Sequence, residues 1–232
     1  MNVVTREEVE NLLELKVRQL SLYQEALTHK SAVKMYNASR SNERLEFIGD
    51  AVLNLIIALY LYEKYPNEKE GFLTKVRTKL VNGKNLAFLA NEMNIQNHIR
   101  MNTKAMHKKW NENPRILEDT FEAIIGAIFI DTGLLHSKMF ILNKISKEID
   151  MNDILTDTNH KDKLMRHCHN IGYELPLYEL ESQDEQRRFK INVKVEGEII
   201  GCGYDFNKKE AEQKAAKEAL KYFNVEESVS IS

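Results

Sequence analysis

The spacing of apolar residues changes near residue 150, and this change constrains the fold more than any other feature of the chain. Before it, apolar positions recur with the period of helices. After it, they alternate as in strands. Between the two patterns lies 150–162, a polar stretch with four aspartates and no aromatic residue, which reads as a linker. Residues 6–20 carry Val9, Leu12, Leu13, Val17 and Leu20 as one helical stripe. Residues 43–65 form a long helix stopped by Pro66. Residues 72–81 form another, with Phe72, Leu73, Val76 and Leu80 on one face. Asn82-Gly83 breaks that pattern, and 86–93 resumes it. Asn113-Pro114 is a helix start, a capping residue followed by proline at the first helical position. That helix runs to about Asp131, where Gly133 caps it. Beyond the linker, 161–170 is a short helix and 178–181, 189–195 and 199–204 are strands, with Gly197 in the turn between the last two. Residues 208–223 are helical again.

The chain has only three prolines and nine glycines. This favours helices over a many-turned all-β fold. The expected organisation is an all-α domain over 1–150, a linker over 151–158, a small α+β domain of order α-β-β-β-α over 159–225, and a disordered tail over 226–232. Hydrophobic residues are 43% and charged residues 29% of the 232, too apolar for a disordered chain. Cys168 and Cys202 are the only cysteines. They exclude a disulfide scaffold or a four-thiolate metal site and favour a reducing compartment. No uninterrupted apolar run reaches the roughly 18 residues that span a bilayer. Nothing at the amino terminus resembles a secretory signal. A soluble, cytoplasmic protein without membrane contact is expected. The net charge is −2, with +2 in 1–150 and −4 in 151–232. Nucleic-acid binding would therefore depend on local placement of charge.

Two of the helices carry acids among apolar residues. In the first, Glu43, Glu46 and Asp50 are spaced three and four apart and share a face. In the second, Asp119 and Glu122 are three apart, and Glu122 adjoins an almost wholly apolar run. An ionised carboxylate buried alone is costly, and several together repel unless a cation holds them. An oxygen-only set selects a hard ion such as Mg²⁺ or Mn²⁺, and such ions promote phosphodiester hydrolysis. The competing reading is a pair of solvated helix faces neutralised by Arg44, Arg115 or lysines. Periodicity alone leaves both open.

The exact strings separate them. Glu43-Arg44-Leu45-Glu46-Phe47-Ile48-Gly49-Asp50-Ala51 resembles the nine-residue motif of the ribonuclease III family, with Ile48 where leucine is usual. Three further segments resemble that family in the same order. They are Leu27-Thr28-His29-Lys30-Ser31, Glu70-Gly71 with Leu73-Thr74-Lys75-Val76-Arg77, and Glu118 to Ala127. The resemblance implies a helical nuclease domain that homodimerises around a valley for double-stranded RNA. It implies Mg²⁺, with Mn²⁺ able to substitute, held by Glu46, Asp50, Asp119 and Glu122, with Asp50 and Glu122 catalytic. Glu43 and Glu70 match acidic positions near the centre and the dimer interface. Asn42 and Thr74 match positions expected to help bind RNA, Lys75 and Arg77 are candidates to face phosphate, and Gly49 and Gly126 are expected to allow close helix packing. The implied product ends are 5′-phosphate and 3′-hydroxyl with short 3′ overhangs. A protein that grips duplex RNA without cutting it is the alternative. A di-iron protein fits poorly because no paired Glu-x-x-His motif is present. A nucleotide pyrophosphatase would have no use for the C-terminal part.

Residues 160–224 resemble a double-stranded-RNA-binding domain, making the whole the minimal one-nuclease, one-binding-domain type. The resemblance rests on the element order, on Leu175-Pro176-Leu177-Tyr178 and Phe189, and on Gly201-Cys202-Gly203 before Asn207 to Ala216. A helix starting at Asn207 would aim its free N–H groups, Lys208 and Lys209 at phosphate. His169 is placed for the minor groove. Met165, Glu185 and Glu212 depart from the usual pattern and predict weak RNA binding by this part alone, with Arg187 and Arg188 available to offset Glu185. His167-Cys168-His169 is not read as a zinc site, because no second cluster completes four ligands.

Overall fold

The structure, a computed structural model, describes residues 4–35, 40–155 and 159–225. It divides into two compact units, Met1–Ile154 and Leu155–Ser232. The first contains α1 (Arg6–Leu13), α2 (Leu20–Ala26), α3 (Glu43–Lys64), α4 (Glu70–Leu80), α5 (Gly83–Glu92), α6 (Thr103–His107), α7 (Pro114–Thr132) and α8 (Leu134–Glu148), followed by α9 (Met151–Leu155) across the division.

Helices α3 and α7 form the centre. Leu53, Ile56, Ile57 and Leu61 of α3 and Phe121, Ile124, Ile125 and Ile128 of α7 are fully buried. The two backbones touch at reciprocal glycines. A Cβ on Gly49 would collide with the Glu122 carbonyl, and one on Gly126 with the Leu45 carbonyl. The expected packing role of these glycines is thus met, and it fixes the register of Glu46 and Asp50 against Asp119 and Glu122. By length and composition alone α3 is apolar enough to cross a membrane. Leu45, Val52, Leu53, Ile56, Ile57 and Leu61 of this helix are instead buried in this core, while Phe47, Leu55, Leu59 and Tyr62 stay exposed.

The single helix expected over 6–20 is two. Helix α1 ends at Leu13 with Glu14 left-handed, at φ 55°, and α2 begins at Leu20. The cause is distant in sequence. Asp131, at the end of α7, is 6% exposed and accepts the Arg18 and Gln19 N–H groups at 2.8 Å each and the Tyr23 hydroxyl at 3.0 Å. A buried carboxylate so placed starts a new helix where local periodicity would continue the old one. Helix α7 begins as expected, with Asn113 Oδ1 accepting the Arg115 N–H at 2.9 Å, and ends at Gly133, φ 85°. Helix α8 was not anticipated. It buries Phe140, Ile141 and Ile145. The linker expected over 151–158 is corrected at its start. Residues Met151–Leu155 are helical, Ile154 is buried, and its carbonyl accepts from Lys79 Nζ at 2.9 Å. Residues 156–158 and the tail 226–232 lie outside the described residues.

The second unit contains α10 (His160–Asn170), β1 (Leu177–Gln183), β2 (Phe189–Val195), β3 (Glu198–Asp205) and α11 (Lys208–Tyr222). The strands form an antiparallel sheet in the order β1-β2-β3. Glu196 and Gly197, both at positive φ, make the tight turn from β2 to β3. Leu164 and Cys168 of α10, Ile191, Val193 and Val195 of β2, and Ala211, Ala215, Ala216 and Ala219 of α11 share one core. Helix α11 lies directly on β3 because a Cβ at Gly201 or Gly203 would meet the carbonyls of Ala215 or Ala211. Both cysteines are free thiols. The all-α then α-β-β-β-α architecture is as expected from the sequence.

Candidate active site

Across the α3–α7 crossing, beside α5, lies a cleft of about 860 Å³. Glu46, Glu118, Asp119 and Glu122 line it, together with Glu112, Lys84, Arg115 and the apolar Phe88 and Leu117. Asp50, one turn along α3 from Glu46, is exposed and held by Asn54 Nδ2 at 2.7 Å. It acts electrostatically on Glu118 and Glu122. Glu46, Asp119 and Glu122 thus line one cleft, and Asp50 lies outside its lining but acts on Glu118 and Glu122 through space.

Their electrostatics distinguish them from solvated acids. Burial, then the negative charges of Asp50, Glu118, Glu46 and Asp119, pushes the Glu122 carboxyl up to about 8. Burial, then Asp119 and Glu43, raises Glu46, against the pull of Lys30 and Arg115. Burial raises Asp119 despite Arg115, Lys30 and His29. Among the described residues neither Arg44 nor Arg115 forms an ion pair with Glu46, Asp119 or Glu122, and Lys30 and Arg115 act on Glu46 and Asp119 only through space. Also among the described residues, no three acidic, histidine or cysteine side chains converge on one ion position. The donor chemistry fits a hard divalent ion: the set is all oxygen, partly desolvated and unpaired.

The remaining candidates are scattered. Glu43, at the start of α3, pairs with Lys30 at 3.2 Å and accepts from Ser41, which lowers its carboxyl. Glu70 lies outside the cleft, exposed on α4, where it accepts from Thr74 Oγ1 at 2.8 Å. Lys75 is exposed on α4, while Arg77 is half-buried. Asn42 is 4% exposed, packed at the start of α3 with its N–H on the Thr28 carbonyl. Its side chain offers almost no surface to a duplex, so the RNA contact expected of it is withdrawn. Glu118 escaped the sequence reading as a site residue, although it lies within the second acidic motif. No local pattern ties it to α5, and only the fold shows that a Cβ on Gly83 would occupy the place of the Glu118 carboxylate.

In the second unit Lys208 and Lys209 are exposed at the start of α11, where Asn207 Oδ1 accepts the Lys209 N–H at 2.9 Å. His169 and Met165 are exposed on α10. Glu212 is committed to Lys161 at 2.6 Å. Arg188 is committed to Asp184 at 2.8 Å, which removes one of the two cations expected to offset Glu185.

Known proteins carry the same two units. The model of the Ribonuclease-III-like family matches residues 19–149, and that of the double-stranded RNA binding motif matches 160–223. The chain is 40% identical to protein A464R of Paramecium bursaria Chlorella virus 1 over 96% of its own length and 81% of that protein's. It is 38% identical to Ribonuclease 3 of Campylobacter jejuni over 92% of its length and 96% of the relative's. The crystallised nuclease domain of the Campylobacter jejuni enzyme superposes with a TM-score of 0.59 at 41% identity, over 62% of this chain and 99% of that one. With both units matched in order and along almost all of its length, the chain belongs to the ribonuclease III family of endoribonucleases.

Proposed function

We propose that this protein cleaves double-stranded RNA by hydrolysis dependent on a divalent metal, leaving 5′-phosphate and 3′-hydroxyl ends with short 3′ overhangs. The observation that carries this reading is the cleft at the α3–α7 crossing, which gathers Glu46, Glu118, Asp119 and Glu122 from the two acidic motifs. Glu46, Asp50, Asp119 and Glu122 would hold Mg²⁺, or Mn²⁺ in its place. When bound, the ion supplies charge stabilisation for the phosphodiester and activation of the attacking water. Asp50 and Glu122 are the acids closest in role to the reacting groups. Gly49 and Gly126 keep their helices in register. Glu43, tied to Lys30, flanks this centre, and Glu70 with Thr74 belongs to an outer surface.

Double-stranded RNA is the substrate that suits both units. Such binding domains read duplex shape across successive minor grooves and the phosphates between them. Here Lys208 and Lys209 would contact phosphate and His169 a minor groove. The protein acts as a homodimer through the first unit. Phe47, Leu55, Leu59 and Tyr62 recur along one face of α3 and remain exposed, Phe47 at 80%. An apolar stripe of this extent marks an interface. Both cysteines being free suits a reducing, cytoplasmic setting.

The deciding experiment is incubation of long duplex RNA with the protein and Mg²⁺, with Glu122→Gln alongside. Short 5′-phosphorylated fragments from the unaltered chain alone are expected. Intact but bound RNA would favour a binding protein. Light scattering on 1–150 at micromolar concentration tests the dimer, and a monomer there sinks the shared valley.

A further inference from the structure

The acidic cleft also holds two cations that none of the motifs explains. Lys84 lies in the first turn of α5 and Arg115 in the first turn of α7, and both line the cleft with Glu46, Glu118, Asp119 and Glu122. Both are exposed. Among the described residues neither makes an ion pair, although carboxylates surround them. Arg115 is near enough to pull the carboxyls of Glu46, Glu118 and Asp119 downward. Its guanidinium nevertheless donates to none of them, which leaves its planar fork of donors available to another anion. The amino-terminal turn is also a poor place for a structural cation, because the helix dipole is already positive there. Two such turns lining the cleft add positive potential beside its carboxylates.

A phosphodiester entering this cleft meets that arrangement directly. The carboxylates repel it, and a bound divalent ion offsets only part of their charge. Cations at the rim supply the remainder and fix the strand's approach. Arginine suits a bidentate grip on phosphate and lysine a single charge. We infer that Lys84 and Arg115 are positioning residues that hold a backbone phosphate of the duplex beside the acidic centre. This rests on the reading of the cleft as a duplex-RNA nuclease site. Contacts of this kind place the substrate without reading its sequence.

The test uses the full chain carrying Glu122→Gln, with duplex RNA affinity measured across a range of salt. Lys84→Gln and Arg115→Gln should each weaken binding about tenfold and flatten the plot of log affinity against log salt by about one unit. Arg115→Lys should keep the slope. Thermal midpoints should not move. Unchanged affinity and slope in both variants would overturn the inference. So would a changed Mn²⁺ affinity with unchanged RNA binding, because Arg115 would then serve only to neutralise carboxylates. Cleavage by the unaltered chain is scored separately. Altered slopes without cleavage would remove the nuclease reading and leave the phosphate contacts standing, and absence of any duplex binding would overturn both.

Discussion

The acids of the first unit's cleft and those on the sheet and helices of the second stand in opposite situations. Four in the second are paired: Glu179 with Lys194 at 2.6 Å, Glu181 with Lys190 at 2.7 Å, Asp205 with Lys214 at 2.8 Å and Glu212 with Lys161 at 2.6 Å. Lys190 holds the Glu181 carboxyl down and Lys214 holds Asp205 down. In the first unit's cleft, Glu46, Glu118, Asp119 and Glu122 lack such partners among the described residues, and each carboxyl is pushed up, with burial the first cause. Composition does not force this, because the first unit has the more basic sequence. Acids paired within the chain serve the fold. Acids desolvated together without partners cost stability, and the proposed divalent ion would offset that cost.

The largest expected effect tests that distinction directly. Glu122→Gln should lower cleavage by more than about a hundredfold, beyond the loss typical of residues that merely support a metal ligand. Glu181→Gln, which breaks a pair on the outer face of the sheet, should leave turnover within about twofold, since exposed ion pairs contribute little. Comparable losses in single-turnover assays would erase the contrast between the units.

The next effect lies in packing. Gly49→Ala drives a methyl into the Glu122 carbonyl, and Gly203→Ala drives one into the Ala211 carbonyl. Backbone cannot rotate away as a side chain would, so each should cost about 3 kcal/mol in its own unit. The consequences differ. Gly49→Ala separates the helices that carry the acids and should abolish cleavage, whereas Gly203→Ala should unfold the sheet and spare the cleft. Denaturant melts followed separately in each unit would detect either failure.

What local sequence made legible follows the same division. Helices α3 and α7, their acids and their glycines were readable, because period, caps and motif strings agree over long segments. The break between α1 and α2 was not, because its cause is Asp131, more than a hundred residues away. Asn42 looked available for RNA, yet its burial comes from packing against the Thr28 segment. Lys84 and Glu118 lie on different helices and meet only in the folded cleft.

Titration should tilt the units in opposite directions. The Glu122 carboxyl lies at about 8, well above the 4.5 of an unperturbed glutamate. Between those values the folded metal-free protein binds more protons than the unfolded chain, so stability falls as pH rises through that window. Glu122→Gln should flatten this fall, and saturating Mg²⁺ should remove it. In the second unit Glu181 and Asp205 are held low, so their contribution is present above the unfolded values and is lost as pH falls through the folded ones. Midpoints measured from pH 3 to 9 with and without Mg²⁺ check both signs. A first unit whose metal-free stability rises from pH 5 to 8 would contradict the origin assigned to the raised carboxyls.

The smallest effect concerns what pairing leaves over. Lys161, Arg188, Lys190, Lys194 and Lys214 are all engaged with acids of their own unit. Lys208 and Lys209, exposed at the start of α11, are the cations best placed to meet phosphate. Residues 155–232 alone should therefore bind duplex RNA no more tightly than about 1 µM at physiological salt, within the range of non-specific electrostatic contacts. Glu212→Gln would release Lys161 and remove one negative charge, so it should tighten binding by about twofold to threefold. A submicromolar Kd for the unaltered fragment would mean that the paired lysines exchange their carboxylates for phosphate at little cost. The internal pairs would then form a store of cations for RNA, and the division between structural and ligand-seeking charge would hold only for the first unit.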